Sequence, residues 1–389
     1  MMIKCSHTHV SVENADELWN WVLSRQGLTS LAEEKLTSVR AVAEASLGLH
    51  AARVASPFTT AAARTSEGTP LGELLGDEGD AELVTIRCMR KTLHTLPVHM
   101  AAYAHGATRH YRLRDVSALA RRLSVTAAQL EEAAGHVTAY LRDYGAQSHR
   151  TIEGALTRSD DKPTRVRLAL KWLWEQGEVT CRNCARSWHQ EQRRFDLRSA
   201  THPGFDTTIQ RDVATARLVE VYFRVYGPAT VRDMAWWSGL GQHDIVGALS
   251  ELNPVELSLP WAPNPFFMLR ADYDQFLSAP RHTRRSGIQF LAHEDVALKA
   301  YFESRSRYLG SLPPSAIFNQ IGEVRPSILR NGRVLGMWSW DHESRRIHYG
   351  ELQGRMSPAE RNAVARQAAS LQLRLRHGYL TGSVVTANV

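Results

Sequence analysis

Cysteine and lysine are both scarce in this chain. Four cysteines in 389 residues cannot staple a disulfide scaffold. Cys5 and Cys88 stand alone, and only Cys181 and Cys184 share a Cys-x-x-Cys spacing. No apolar run approaches the ~18 residues of a membrane span. The opening Met1-Met2-Ile3-Lys4-Cys5-Ser6-His7 has no apolar core before a small-residue cleavage site, so it does not read as a signal peptide. The expectation is a protein with no membrane partner that stays in the compartment where it is made.

Several catalytic signatures are missing as well. There is no Gly-x-x-x-x-Gly-Lys phosphate loop, no complete Gly-x-Gly-x-x-Gly and no Gly-x-Ser-x-Gly elbow. NTPase, dehydrogenase and serine-hydrolase chemistry lose their main supports. His293-Glu294 is not the start of a zincin motif, because Ala297 stands where the second histidine belongs. Cys181, Cys184 and His189 lack a fourth ligand, and a closed zinc site needs four. No metal and no cofactor are expected.

Arginine is abundant: 41 arginines accompany six lysines, and the net charge is +7 with a pI near 9.4. Guanidinium groups fork phosphate oxygens and stack on flat rings. A basic, arginine-rich chain therefore points to a polyanion, although this charge also suits an ordinary solvated surface. At 43% hydrophobic and 22% charged the chain folds, and its length suits two to four domains.

The spacing predicts an α+β fold with tandem winged helices. An N-terminal region over 1–116 is helical or winged-helix: a lead-in helix ends at Gly27, apolar residues from Leu31 to Leu47 recur at helical spacing, and a helix capped by Ser56 with Pro57 in its first position runs to about Arg64. Leu83–Leu93 reads as a strand or a short buried run. Over 117–200, helices near 117–123, 126–142 and 151–157 precede another that begins after Asp160 and is closed by Gly177. Two strands around 179–181 and 193–197 complete helix–helix–ribbon order, the winged-helix variant of helix-turn-helix. Residues 205–280 repeat that order, with Gly239-Leu240-Gly241 as the turn. Residues 281–389 hold the Asn331-Gly332 hairpin and a further strand, read as a small antiparallel sheet or β-barrel. A closing helix is capped by Ser357 and Glu360.

Two features of this pattern have double readings. The 181–198 ribbon carries Arg182, Arg186, Arg193 and Arg194 with Trp188 and His189 between them. That composition suits a wing lying on nucleic-acid backbone; it equally suits a solvated hairpin whose tryptophan packs on its own domain. Trp236-Trp237 could be a stacking platform, but at least one reads as core.

Several segments, in order, resemble the AlkZ/YcaQ-like DNA glycosylases of bacteria: Gly48-Leu49-His50-Ala51-Ala52-Arg53 with Ser56-Pro57, Met89-Arg90-Lys91-Thr92-Leu93-His94, Tyr226-Gly227-Pro228-Ala229-Thr230, Asp233-Met234-Ala235-Trp236-Trp237-Ser238-Gly239-Leu240, and Asn331-Gly332-Arg333-Val334-Leu335-Gly336-Met337-Trp338. The resemblance implies tandem winged helices with a C-terminal β-barrel. It implies excision of alkylated purines, including bulky adducts, in base-excision repair or in self-resistance to a DNA-alkylating natural product.

On this reading the partner is double-stranded DNA carrying alkylated purines, and the protein is a monomer of the cytoplasm at the bacterial nucleoid. The N-terminal region over 1–116 carries the catalytic motif, and His50 is the catalytic residue. Arg53, Arg90, Arg182, Arg186, Arg193 and Arg194 contact DNA. Family enzymes carry Gln-x-Gln or Gln-x-Asp where His50-Ala51-Ala52 stands here, so the second polar residue, the one that handles the water, is missing.

The chemistry is undemanding. An N7-alkylated guanine is cationic and leaves as a neutral base, so no strong general acid is required. A neutral His50 can take a proton from water, whereas a protonated one repels the cationic sugar, so activity falls in acid. No lysine lies in the motif, which predicts a monofunctional enzyme without a Schiff-base lyase step. The alternatives left open are a structural His50 in a non-catalytic DNA-binding regulator, or an adduct- or drug-binding protein.

Overall fold

Ala-, Leu- and Arg-rich stretches alternate with short β-branched and aromatic runs, and the fold follows that alternation. A computed structural model of the protein describes residues 3, 6–9, 12–29, 35–67, 69, 71, 74, 82–157, 164–185, 187–280, 287–352 and 356–384.

The chain opens with β1 (Ser6–His9) and α1 (Val12–Arg25), which Gly27 ends at φ +73. Of the helical spacing from Leu31 to Leu47, residues 31–34 lie outside the described residues, and α2 covers Val39–Ala45, begun by the Ser38 side chain, which accepts from Ala41 N. Next come β2 (Leu49–His50) and α3 (Ser56–Arg64), which ends where the sequence reading placed it but has Ala55, not Ser56, at its N-cap and no side-chain cap. The run from Leu83 to Leu93 resolves into β3 (Leu83–Arg87) and the start of β4 (Leu93–Pro97) across a tight turn.

The next helix differs from expectation. α4 (Val98–Arg122) runs unbroken through 117–123, which is no separate helix, and the expected boundary at 116 falls inside it. Nothing between Val98 and Arg122 but Gly106 disfavours helix, and Gly106 packs on Ala214 and Ile209. α5 (Ala127–Tyr144), α6 (His149–Leu156) and α7 (Thr164–Gln176) follow, then the ribbon β5 (Val179–Asn183) and β6 (Arg193–Leu197). Leu130, Val137, Leu141, Ile152, Leu170, Leu173 and Phe195 share one core there.

After the short α8 (Arg198–Thr201), α9 (Arg211–Tyr226), α10 (Val231–Ser238) and α11 (Gln242–Glu251) lead into β7 (Val255–Ser258) and β8 (Phe266–Met268), then α12 (Arg270–Ser278). Thr230 and Asp233 form a capping box at the start of α10, and Gly239 ends it in the left-handed region. β1 adds to β7 in parallel, the exception among otherwise antiparallel pairs. The largest core joins α1, α4, α9, α10 and this small sheet.

The C-terminal part is β9 (Ile288–Leu291), α13 (Val296–Lys299), α14 (Ser306–Leu309), β10 (Ser327–Arg330), β11 (Arg333–Asp341), β12 (Arg346–Glu351) and α15 (Pro358–Val384). Among the described residues the expected barrel is not formed. The strands make an open four-stranded antiparallel sheet in the order β12-β11-β10-β9, with β12 and β9 at its edges. Four strands are too few to close at a barrel's usual tilt, and helices bury the apolar face instead: Val364, Leu371 and Leu375 of α15 and Phe58 and Ala61 of α3 share its core with Phe290, Ile328 and Trp338. The hairpin turn is as read, with Asn331 and Gly332 at φ +46 and +77. Glu360 and Ser357 close their capping box.

Candidate functional site

His50 lies on the edge strand of the five-stranded sheet β2-β4-β3-β5-β6. The chain reaches it through two left-handed residues, Leu47 at φ +48 and Gly48 at φ +90. A side chain at 48 would collide with Leu96, with Cβ 2.7 Å from its Cδ2, so glycine is required for the turn into β2. β2 pairs with β4 in a register that sets His50 opposite His94, and the two imidazoles meet edge to face at 5.3 Å.

His50 is 4% exposed, and neither ring nitrogen has a hydrogen-bond partner among the described residues. Its Nε2 is 3.6 Å from Oε2 of Glu294. Burial, followed by the charges of Lys299, His293, Arg90 and Arg53, lowers its pKa to about 3. The imidazole is therefore neutral at working pH. His94 is likewise pushed well below the ordinary histidine value, chiefly by burial.

Glu294 follows β9 in the turn that leads to α13, itself at φ +57. Its backbone N–H donates to Val324 O at 2.8 Å, and its Oε1 accepts from Val324 N at 2.6 Å. Lys299 Nζ reaches its two oxygens at 3.0 and 2.8 Å and also donates to Gly322 O at 2.9 Å. Burial lowers the Lys299 pKa, with Glu294 acting the other way.

Above this floor stands Trp236, half-buried on α10 and stacked on Phe302 at 5.6 Å. Three cations approach its ring: Arg90 at 4.0 Å, Arg305 at 5.0 Å and Lys299 at 5.5 Å. Arg90 sits at φ +50 in the tight turn between β3 and β4. Neither Arg90 nor Arg305 is ion-paired with a carboxylate among the described residues. Arg53 is exposed at the entrance and forks Glu323 at 2.7 and 2.9 Å.

The structure thus brings His50, Arg53 and Arg90 together and sets the ribbon arginines elsewhere. Arg182 is half-buried on β5, Arg193 pairs with Glu191 at 2.7 Å, and Arg194 is exposed on β6; Arg186 lies outside the described residues. Trp188 is a packing residue: it is 2% exposed, stacks on Phe58 at 5.7 Å and donates Nε1–H to Leu375 O at 2.9 Å. Trp237 is core, while Trp236 faces the cations. Cys181 is buried, Cys184 is half-buried, and the His189 ring packs on His342 at 4.6 Å. No group of three or more metal-ligating side chains occurs among the described residues.

Glu294, Lys299 and Arg305 were missed from sequence. The sequence reads His293-Glu294 only as a failed zincin motif; three polar residues, His293-Glu294-Asp295, one position after an apolar strand are the available signal. Ala52, at the missing polar position, is exposed and brings no polar side chain to the floor.

A charged floor beneath a cationic and aromatic rim can bind a flat base and a phosphate backbone while a neutral imidazole handles a proton. No helix among the described residues is long and apolar enough to cross a membrane. No curated protein matches this sequence. Among solved structures, the Streptomyces sahachiroi DNA glycosylase AlkZ is similar at 18% identity and a TM-score of 0.73, over 93% of this chain and 96% of that one. The family description DNA glycosylase AlkZ-like matches residues 43–373, and the chain belongs to this AlkZ-like DNA glycosylase family.

Proposed function

We propose that the protein is a monofunctional glycosylase that hydrolyses the bond between deoxyribose C1′ and N9 of bulky N7-alkylguanines in DNA, in base-excision repair or in self-resistance to a DNA-alkylating natural product. The observation that carries this reading is His50: a buried, neutral imidazole with both nitrogens unpartnered, set under a rim of arginines. Water attacks C1′ and gives its proton to His50, while the electron pair of the C1′–N9 bond passes to the base and cancels its positive charge. The products are an abasic sugar and a neutral alkylguanine.

Among the described residues Lys299 is the one lysine near His50, and its ammonium is held by Glu294 and Gly322 O. A charged, fully bonded ammonium is a poor nucleophile, which favours hydrolysis over a lyase step. We read α5–β6 and α9–β8 as winged helices. Arg53 and Arg90 at the rim serve as the main backbone contacts and the ribbon arginines Arg182, Arg193 and Arg194 at most as weaker ones, with a single chain acting on one duplex. The test is incubation with duplexes carrying one small or one bulky N7-alkylguanine, scored by alkali-dependent strand cleavage. Binding without cleavage of either would replace the enzyme with a non-catalytic DNA-binding protein.

A further inference from the structure

We propose that Glu294 is a positioning residue: its carboxylate fixes His50 as the Nε2–H tautomer, leaving Nδ1 as the atom that takes the proton from water. This rests on the glycosylase reading of His50.

The geometry supports it in three ways. First, Glu294 Oε2 lies 3.6 Å from Nε2, whereas the neighbours whose charges shift His50 are basic: Lys299, His293, Arg90 and Arg53. On the adjacent strand, His94 meets it only edge to face. The carboxylate is therefore the acceptor that faces Nε2, just outside hydrogen-bond distance, and a closure of about 0.5 Å would complete the bond. Second, the carboxylate is held in place. Glu294 adopts φ +57, a region that side chains other than glycine rarely enter. Val324 bonds both its backbone N–H and its Oε1. Next to it, Asp295 forks Arg64 of α3 at 2.5 and 2.9 Å with both side chains fully buried. Strand β2 and the Glu294 turn are thereby set against one another from opposite ends of the chain. Third, both ring nitrogens of His50 are buried without a hydrogen-bond partner among the described residues, so with Nε2–H turned to the carboxylate, Nδ1 is left free to take a proton.

The proton balance follows. Nδ1 gains the water proton as the oxygen bonds to C1′ and the base departs. Burial and the neighbouring cations disfavour the resulting imidazolium, and the Glu294 carboxylate at 3.6 Å opposes them, the part a buried carboxylate plays in a serine-protease triad. That proton passes to solvent with product release. A purely structural Glu294–Lys299 pair would hold the turn but would leave the His50 tautomer indifferent to the carboxylate.

Nitrogen-15 NMR of the histidine rings separates the two, together with single-turnover excision by wild type, Glu294→Gln, Glu294→Asp and His50→Ala. We expect Nε2–H resonances for His50 in wild type and a shift to mixed tautomers in Glu294→Gln. Its excision rate should fall about 10-fold or more, with DNA affinity within about two-fold. Glu294→Asp keeps the charge and withdraws it from His50, so it should show the same trend at smaller size; it also serves if Glu294→Gln fails to fold. Unchanged His50 signals in the folded variants would overturn the proposal, as would wild-type rates from them beside an inactive His50→Ala. If wild type excises nothing, the glycosylase reading falls and the NMR comparison decides the role of Glu294 alone.

Discussion

Arg64 and Asp295, 231 residues apart in sequence, meet as a two-pronged ion pair at 2.5 and 2.9 Å with neither side chain exposed. The pair fastens α3, which follows the His50 strand, to the turn that carries Glu294. Removing one partner strands a buried charge, which typically costs about 3–5 kcal/mol. Asp295→Ala is therefore expected to lose about that much stability in urea unfolding and to lower excision with it. A loss below about 1 kcal/mol, within the range of exposed ion pairs, would show that the brace is not structural.

The pH dependence follows from the sign of the His50 shift. With its pKa lowered to about 3, the base form persists far into acid. Excision, corrected for spontaneous depurination, should be flat from about pH 8 to 5, where an unshifted histidine would lose activity near 6.5. This moves the acid loss expected from sequence to a lower pH. Stability behaves differently. The unfolded histidine takes up a proton near pH 6.5 that the folded one refuses until about 3, so this contribution is full above 6.5 and is lost as pH falls through that window. At pH 5 the loss is about 2 kcal/mol. Half-maximal activity near pH 6.5 in fully folded protein would contradict this account.

Salt dependence distinguishes the rim from the ribbon. Arg90 and Arg305 flank Trp236 without a carboxylate partner among the described residues, whereas Arg193 is occupied by Glu191 at 2.7 Å. Arg90→Ala with Arg305→Ala should flatten the slope of log affinity against log salt by about 2, while Arg193→Ala changes it by less than 1. The reverse order would return DNA contact to the ribbon.

How much of this was legible follows the range of the interactions. α3, α9–α11, the Asn331-Gly332 hairpin and the capped α15 were readable because caps, turns and apolar spacing are local. His50, Arg53 and Arg90 came from local segments too. Glu294, Lys299 and Arg305 were not readable as site residues, because only the packing of α3 on the Asp295 turn brings them to His50. Trp188 shows the same limit: the ribbon's composition suited a DNA-contacting wing, and the contact with α15 turned it into an anchor. Closure of the C-terminal sheet was equally a matter of distant edges.

Lys299 provides a test of the reaction type. Its ammonium is engaged by Glu294 and Gly322 O, so borohydride added during turnover should trap no protein–DNA adduct. A trapped adduct that disappears in Lys299→Gln would establish a Schiff-base lyase and overturn the hydrolytic reading.

The central claim is that His50 drives excision of a bulky N7-alkylguanine. Its most direct measurement is single-turnover cleavage of such a duplex by wild type and His50→Ala at saturating protein. The account predicts a rate lower by about 10²-fold or more in the variant, the usual worth of a positioned base, with DNA affinity unchanged. Equal rates for the two proteins would remove His50 from the mechanism.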